Sequence, residues 1–167
     1  MMITLNDIDI VFILYNMKDI TSITSIWNRY KNDTNKMNIG ESFLDSITVC
    51  GRIYTRRFAQ GNELCFIELI DHSTVKSLQC VCDKKCISEW GDLWNKSLRG
   101  SVIQLYGDVI ISPAKGQDIE LVVETYKCFG SVDESYPLLG RKLSCDLLRT
   151  VPHLRYHTKL FTAIQCI

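Results

Sequence analysis

The chain has 167 residues, of which 46% are hydrophobic and 23% are charged. This length allows one domain with a sizeable core and a short segment at each end. Basic and acidic residues both number 19, so the net charge is zero, which argues against a protein held to polyanions by bulk charge. No secretory signal is recognisable, and the apolar run at residues 8–15 is shorter than the ~20 residues that cross a bilayer. We therefore predict a soluble, cytoplasmic protein without membrane attachment.

The eight cysteines lie mostly inside apolar strand patterns, where a free thiol acts as a small hydrophobic side chain. We expect them to be reduced. Cys80, Cys82 and Cys86 suggest metal binding, but the first two point the same way from a strand, unlike the Cys-x2-Cys turn of zinc ribbons. No cysteine lies at a recognisable helix start beside a base, as a nucleophile would. We expect no metal, no cofactor and no catalytic residue.

The first 36 residues have the least regular pattern. The apolar run Ile10–Leu14 fits either a strand or the start of a helix. Apolar side chains then recur every three or four residues, which predicts a short amphipathic helix; they are Ile20, Ile23, Trp27 and Tyr30. A polar stretch at 31–36 predicts a linker. We expect residues 1–41 to form an extension that packs loosely on the main domain, and membrane or partner binding is the alternative.

The apolar period changes to two from Ile47, which predicts three β-strands up to Cys82. The expected inward positions are Ile47, Val49, Gly51, Ile53, Cys65, Ile67, Leu69, Leu78, Cys80 and Cys82. The same alternation places Arg56, Phe66 and Gln79 together on the outer face, with Glu68 beside Phe66. One β-bulge would change which residues share that face.

A helix is predicted at 86–98, ending near Gly100, and two further strands at 101–112 and 119–129. Five strands with a helix between the third and fourth is the order of an OB-fold, a mainly β, partly open barrel whose outer face binds oligonucleotides. We assign residues 42–130 to this domain. Residues 131–167 form a separate segment, with a short helix at 144–149 and Ser144 as its N-cap.

The outer face combines cations, an aromatic ring and an amide. Arg52, Arg56 and Arg57 supply the charge, Phe66 the ring and Gln79 the amide. Single-stranded nucleic acids bind to surfaces with this combination, because bases stack on rings and phosphates pair with cations.

Short sequences along residues 42–167 match one family in order. They are Val49–Ile53 with Thr55–Arg57, Cys65–Ile67, Leu78–Val81, Gly107 with Ser112–Gln117, Glu120–Leu121, Tyr136–Leu138, Ser144, Leu148–Arg149, His153–Arg155, Thr158 and Ala163. The chain thereby resembles the N-terminal region of the asparaginyl-tRNA synthetases, which are class II ligases of the aspartyl type. The Ser-Pro-x-x-Gly-Gln turn and the Tyr-Pro…His-Leu-Arg…Thr tail favour this branch.

The resemblance implies an anticodon-binding OB domain followed by a hinge segment that leads to a catalytic domain. It implies that Phe66 stacks on an anticodon base, that Gln79 hydrogen-bonds a base edge, and that Arg56 and Arg57 engage the anticodon loop. An amide can donate and accept at the edge of uracil, the middle anticodon base for asparagine. We include Arg52 and Glu68 among the nucleic-acid-binding residues because both share the predicted outer face.

The chain also departs from the family pattern. Arg52 stands where the family usually has Trp, Phe58 follows the arginine pair, and Tyr156 and His157 replace a Pro-Arg pair. The three motifs that the family uses for adenylate formation do not occur in the sequence, so we expect binding of tRNA or single-stranded RNA without aminoacylation by this chain alone. The alternatives are a fragment of a complete ligase, a general single-strand-binding OB protein, and a protein-interaction module.

Overall fold

The structure is a computed structural model and describes residues 20–33, 38–88, 90–139 and 144–165. The run at 10–14 and part of the predicted linker lie outside the described residues. The elements in chain order are α1 (Ile23–Asp33), β1 (Ser42–Ala59), β2 (Leu64–Ile70), β3 (Leu78–Asp83), α2 (Trp90–Lys96), β4 (Val102–Ile111), β5 (Ile119–Gly130), α3 (Cys145–Thr150) and α4 (Lys159–Gln165). Single 3-10 turns occur at Gln60–Asn62 and Arg155–His157.

The five strands close into a barrel in the order β1-β2-β3-β5-β4, and β4 pairs back onto β1. All neighbours are antiparallel except β3 and β5, which run parallel. The predicted mainly β, five-stranded OB-fold is therefore confirmed. Helix α2 does lie between β3 and β4, but it spans 90–96 rather than 86–98, because Asp83 first caps a turn by accepting from the Lys85 amide at 2.8 Å.

The barrel interior is filled by the inward side chains of all five strands, including Val49, Ile53, Ile67 and Leu105. One strand crossing depends on a glycine: a Cβ at Gly107 would lie 1.9 Å from the Val122 carbonyl oxygen. No other residue allows β4 and β5 to approach this closely.

Helix α1 is part of the core, and the expectation of a loosely packed extension is wrong for residues 23–33. The side chains of Ile23 and Ile26 are fully buried in the barrel cluster together with Trp27. The loop after β2 holds the start of the helix, since the Ile23 amide donates to Asp71 Oδ2 at 2.8 Å and the Thr24 amide donates to Ser73 Oγ at 3.1 Å. These caps come from 48 and 49 residues away, so the local sequence could not reveal them.

Strand β1 contains a bulge at Tyr54, which corrects the predicted grouping of Arg56 with Phe66 and Gln79. Ile53 pairs with Leu69 and Thr55 with Glu68, so Tyr54 is an extra residue with no partner of its own on β2. Beyond the bulge the alternation is inverted, and Arg56 pairs with the fully buried Ile67. Up to Ile53 the predicted inward and outward positions are correct.

Described residues after Gly130 contact the rest of the domain, since the Val132 amide donates to Ser101 Oγ at 3.2 Å and Lys159 Nζ donates to Ser77 Oγ at 3.3 Å. This segment contains the predicted short helix. Ser144 caps α3 by accepting from the Leu147 amide at 3.2 Å. Within the described ranges, no helix has the length and apolarity that crossing a membrane requires.

Candidate nucleic-acid interface

The outer face of β1, β2 and β3 brings five chemically useful side chains together. Cross-strand partners share a face, and the register pairs Arg57 with Phe66, Thr55 with Glu68, and Glu68 with Gln79. We call these five residues the outer face. It contains four of the six predicted site residues beside one another, namely Arg57, Phe66, Glu68 and Gln79.

Arg57 and Phe66 form the aromatic end of the outer face. The guanidinium carbon of Arg57 lies 4.7 Å from the centroid of the Phe66 ring, which is a cation–π contact. Arg57 is exposed and Phe66 is half-buried. A planar π-system can therefore reach this ring from solvent once the mobile arginine side chain moves.

Gln79 and two carboxylates form the polar end of the outer face. Gln79 lies between Glu68 on β2 and Glu120 on β5. Glu120 is only 7% exposed and accepts from Ser112 Oγ at 3.0 Å, which ties the turn after β4 to this edge. The amide and the carboxylates give the face both donors and acceptors for a base edge.

A cationic group from the C-terminal segment reaches the same face. Lys159 Nζ lies 3.9 Å from Glu68 Oε2 and donates to Ser77 Oγ at 3.3 Å. It also lies 4.3 Å from the centroid of the Tyr54 ring, and the Arg99 guanidinium lies 5.2 Å from that ring. The bulge thus presents Tyr54 to two cations at the border of the outer face.

The two remaining predicted arginines lie elsewhere. Arg56 Nη1 donates to Ser97 Oγ at 2.8 Å, and its guanidinium carbon lies 4.9 Å from the Phe58 ring centroid. Arg52 pairs with Ile70, and its Nη1 donates to the Gly100 carbonyl oxygen at 2.6 Å. Burial lowers the pKa of both guanidinium groups from their ordinary value. The structure therefore brings together neither Arg52 nor Arg56 with Phe66.

The cysteines of β2 and β3 contribute to packing. The described cysteines are free thiols, and Cys65, Cys80 and Cys82 are buried, whereas Cys86 is exposed. Burial raises the pKa of Cys65 to about 12 and also raises the pKa of Cys80 and Cys82. Such thiols stay protonated at neutral pH and pack as small hydrophobic side chains.

Sequence reasoning missed three residues at this interface, namely Tyr54, Glu120 and Lys159. The bulge that presents Tyr54 leaves no pattern in the sequence. Glu120 is the second residue of β5 and has the alternation of an outer residue, and the parallel pairing with β3 could have drawn attention to it. No local signal connects Lys159 with the barrel.

Comparison with known proteins identifies the domain that carries this face. The model of the tRNA anticodon family, described as an OB-fold nucleic acid binding domain, matches residues 47–129. That range includes all of the outer face.

The curated relatives are asparagine–tRNA ligases. The chain is 36% identical over 124 residues to the enzyme of Borreliella burgdorferi, a match that covers 71% of this chain and 26% of that protein. It is 34% identical over 121 residues to the enzyme of a Nostoc species, with 72% and 26% covered. The chain spans about a quarter of the length of these relatives.

Solved structures share the fold. An asparaginyl-tRNA synthetase from Pyrococcus horikoshii superposes with a TM-score of 0.57 at 22% identity, over 72% of this chain and 27% of that one. An aspartyl-tRNA synthetase from Entamoeba histolytica superposes with a TM-score of 0.59 at 16% identity, over 75% and 32%. At these identities the superpositions speak to the fold alone.

Proposed function

Because the chain carries an OB-fold nucleic acid binding domain of the tRNA anticodon family, similar to that of asparagine–tRNA ligases, we propose that it binds the anticodon loop of a tRNA through the outer face. The observation that carries the proposal is the arrangement of Arg57, Phe66 and Gln79 on neighbouring strands, inside the matched domain. Asparagine tRNA is the proposed partner.

Stacking is the first proposed contribution. An unstacked base takes the place of the Arg57 guanidinium over the Phe66 ring, and the released guanidinium pairs with the adjoining phosphate. Base stacking on an aromatic ring contributes ~1–3 kcal/mol per base. Arginine suits both situations, because its planar cation stacks on rings and pairs with phosphates.

Readout of a base edge is the second contribution. The Gln79 amide donates one hydrogen bond to the base and accepts another, as the edge of uracil requires. Glu68 and Glu120 are the cross-strand partners of Gln79 on its two sides. Arg56 does not share this face, so of the two arginines predicted to engage the anticodon loop only Arg57 contacts the RNA here.

The direct test is a binding titration with fluorescently labelled asparagine tRNA, and the same tRNA with a changed middle anticodon base is the control. We expect weaker binding of the changed tRNA. Equal binding of both would favour a general single-strand-binding protein. Failure to bind either, at low and at moderate salt, would favour the protein-interaction alternative.

We further propose that this chain by itself recognises RNA without activating asparagine. The family match, at residues 47–129, is to a nucleic acid binding domain. An ATP–pyrophosphate exchange assay with asparagine tests this proposal, and exchange above background would contradict it. The alternative, that the sequence is one segment of a complete ligase, predicts exchange only when the remaining segment is supplied.

A further inference from the structure

A second concave site lies on the barrel, at the other half of β1. A cavity of about 540 Å³ opens between β1, the end of β2, the residues before α1 and the 3-10 turn at Arg155–His157. Its size falls within the roughly 300–1,000 Å³ that is usual for small-ligand sites. Its polar lining includes Ser22, Arg52, His72 and His157.

Arg52 is a half-buried cation without an anionic partner. Its Nη1 donates to the Gly100 carbonyl oxygen at 2.6 Å, which is a neutral acceptor. Among the carboxylates of the described ranges, none forms an ion pair with Arg52. Burying a cation without compensation is unfavourable, so a half-buried arginine in a cavity is suited to an anionic ligand.

The one carboxylate in the cavity lining, that of Asp71, forms no ion pair with Arg52. Asp71 Oδ2 accepts from the Ile23 amide at 2.8 Å, and Oδ1 accepts from the Ser73 amide at 2.9 Å and from Ser73 Oγ at 2.6 Å. One oxygen therefore caps α1, and the other holds the loop after β2. The amides at the start of α1 are used in turn, so they do not form an anion site.

The imidazole of His157 is held in place beside Arg52. His157 Nδ1 is hydrogen-bonded to the Tyr136 hydroxyl at 2.7 Å, and the two rings stack with an interplanar angle of 22°. Arg52 and His157 both line a narrow cleft next to the cavity, together with Arg99 and Tyr136. A fixed guanidinium and a fixed imidazole are donors of the kind that phosphate oxygens accept from.

We propose that this cavity binds a phosphate group, with Arg52 as the principal cation and His157 as the neighbouring donor. Arginine pairs with phosphate through two parallel N–H groups, which gives both strength and geometry. The phosphate can come from a free nucleotide or from an RNA backbone that continues past the outer face. The site does not depend on anticodon recognition.

The test uses two probes with the full chain. Saturable binding of inorganic phosphate and of AMP is measured by ³¹P NMR, and binding of single-stranded RNA is measured over a range of salt concentrations. The variant is Arg52→Gln, and the matched control is Arg149→Gln, whose arginine is exposed and paired with Asp146. Thermal unfolding of each variant verifies that it folds.

We expect saturable binding to the parent chain and to Arg149→Gln, weakened roughly tenfold or more in Arg52→Gln. The salt slope is the steepness with which the logarithm of the RNA binding constant decreases as the logarithm of the salt concentration rises. A slope that is smaller by about 0.7 in Arg52→Gln would identify the RNA backbone as the source of the phosphate, whereas an unchanged slope would identify a free ligand. Absence of saturable phosphate binding to the parent chain, together with an unchanged slope, would overturn the proposal, even if anticodon-dependent binding is observed.

Discussion

Strand β1 has two halves, which differ in the direction of their side chains and in whether the C-terminal segment covers their outer surface. Before Tyr54, the alternation read from the sequence holds, and the outward Arg52 lies under the C-terminal segment. After Tyr54, the alternation is inverted, and the outward Arg57 is exposed beside Phe66. One extra residue therefore separates a covered half from an open half of the same strand.

Three identical residues within six positions of β1 have different surroundings. Arg52, Arg56 and Arg57 have the same charge. Arg52 donates to a backbone carbonyl, Arg56 donates to a buried serine hydroxyl, and Arg57 lies over an aromatic ring. The neighbouring elements decide this, because a charge contributes according to its partners and its exposure to water.

The largest effect is expected at Gly100, which holds the covered half together. Its φ is +100°, and a Cβ there would lie 2.5 Å from the Tyr136 ring, which is fixed by His157. Gly100→Ala should lower the free energy of unfolding by about 2–4 kcal/mol, through backbone strain and displacement of the ring. Denaturant unfolding measures this.

Gly116→Ala is the matched control for backbone strain. Gly116 has a φ of +86°, but nothing lies within 4 Å of the added Cβ. Gly116→Ala should therefore lower the free energy of unfolding by only about 1–2 kcal/mol. Equal losses in the two variants would show that the contact with Tyr136 contributes nothing to stability.

The next effect concerns the open half. Phe66→Ala should weaken RNA binding about 5- to 150-fold, the equivalent of the ~1–3 kcal/mol that stacking of one base contributes. Phe129→Ala is the control, because Phe129 is also a phenylalanine on a strand and reaches solvent, at 45% exposure, but lies on β5 outside the outer face. Binding titrations measure both. Equal losses would remove the stacking role of Phe66.

The arginine pair tests the bulge itself. Arg57→Gln should weaken RNA binding and reduce the salt slope by about 0.7, because one phosphate contact is lost. Arg56→Gln should leave the slope unchanged and instead lower the free energy of unfolding by about 1 kcal/mol, because its hydrogen bond to Ser97 is lost. The reverse pattern would indicate that Arg56, and not Arg57, faces the RNA.

The sequence was sufficient for the barrel and for part of the site. A period of two in apolar residues predicts each strand, since one face of every strand is buried, and Phe66 and Gln79 follow from that period. The bulge at Tyr54 could not be predicted, because a one-residue shift in the register between β1 and β2 has no characteristic residue type or spacing in the sequence. The contacts of Lys159 with Glu68 and of Asp71 with α1 join distant segments, and the tertiary fold alone creates them.

The smallest effect is a pH dependence of the covered half. Burial, followed by the nearby charges of Arg52 and His153, lowers the pKa of His157 from its ordinary value of 6.5. As the pH falls below that value, the unfolded chain takes up a proton that the folded chain does not, so the free energy of unfolding decreases until the pKa of the folded state is passed. Unfolding free energies measured between pH 7.5 and 5 should therefore fall less steeply in His157→Gln than in the parent chain.

The substitution also removes the partner of Tyr136, which lowers stability at every pH, so the slope and not the level is the quantity to compare. Identical slopes would mean that the imidazole is as accessible to water in the folded chain as in the unfolded chain. The covered half of β1 would then be as exposed as the half that pairs with Phe66.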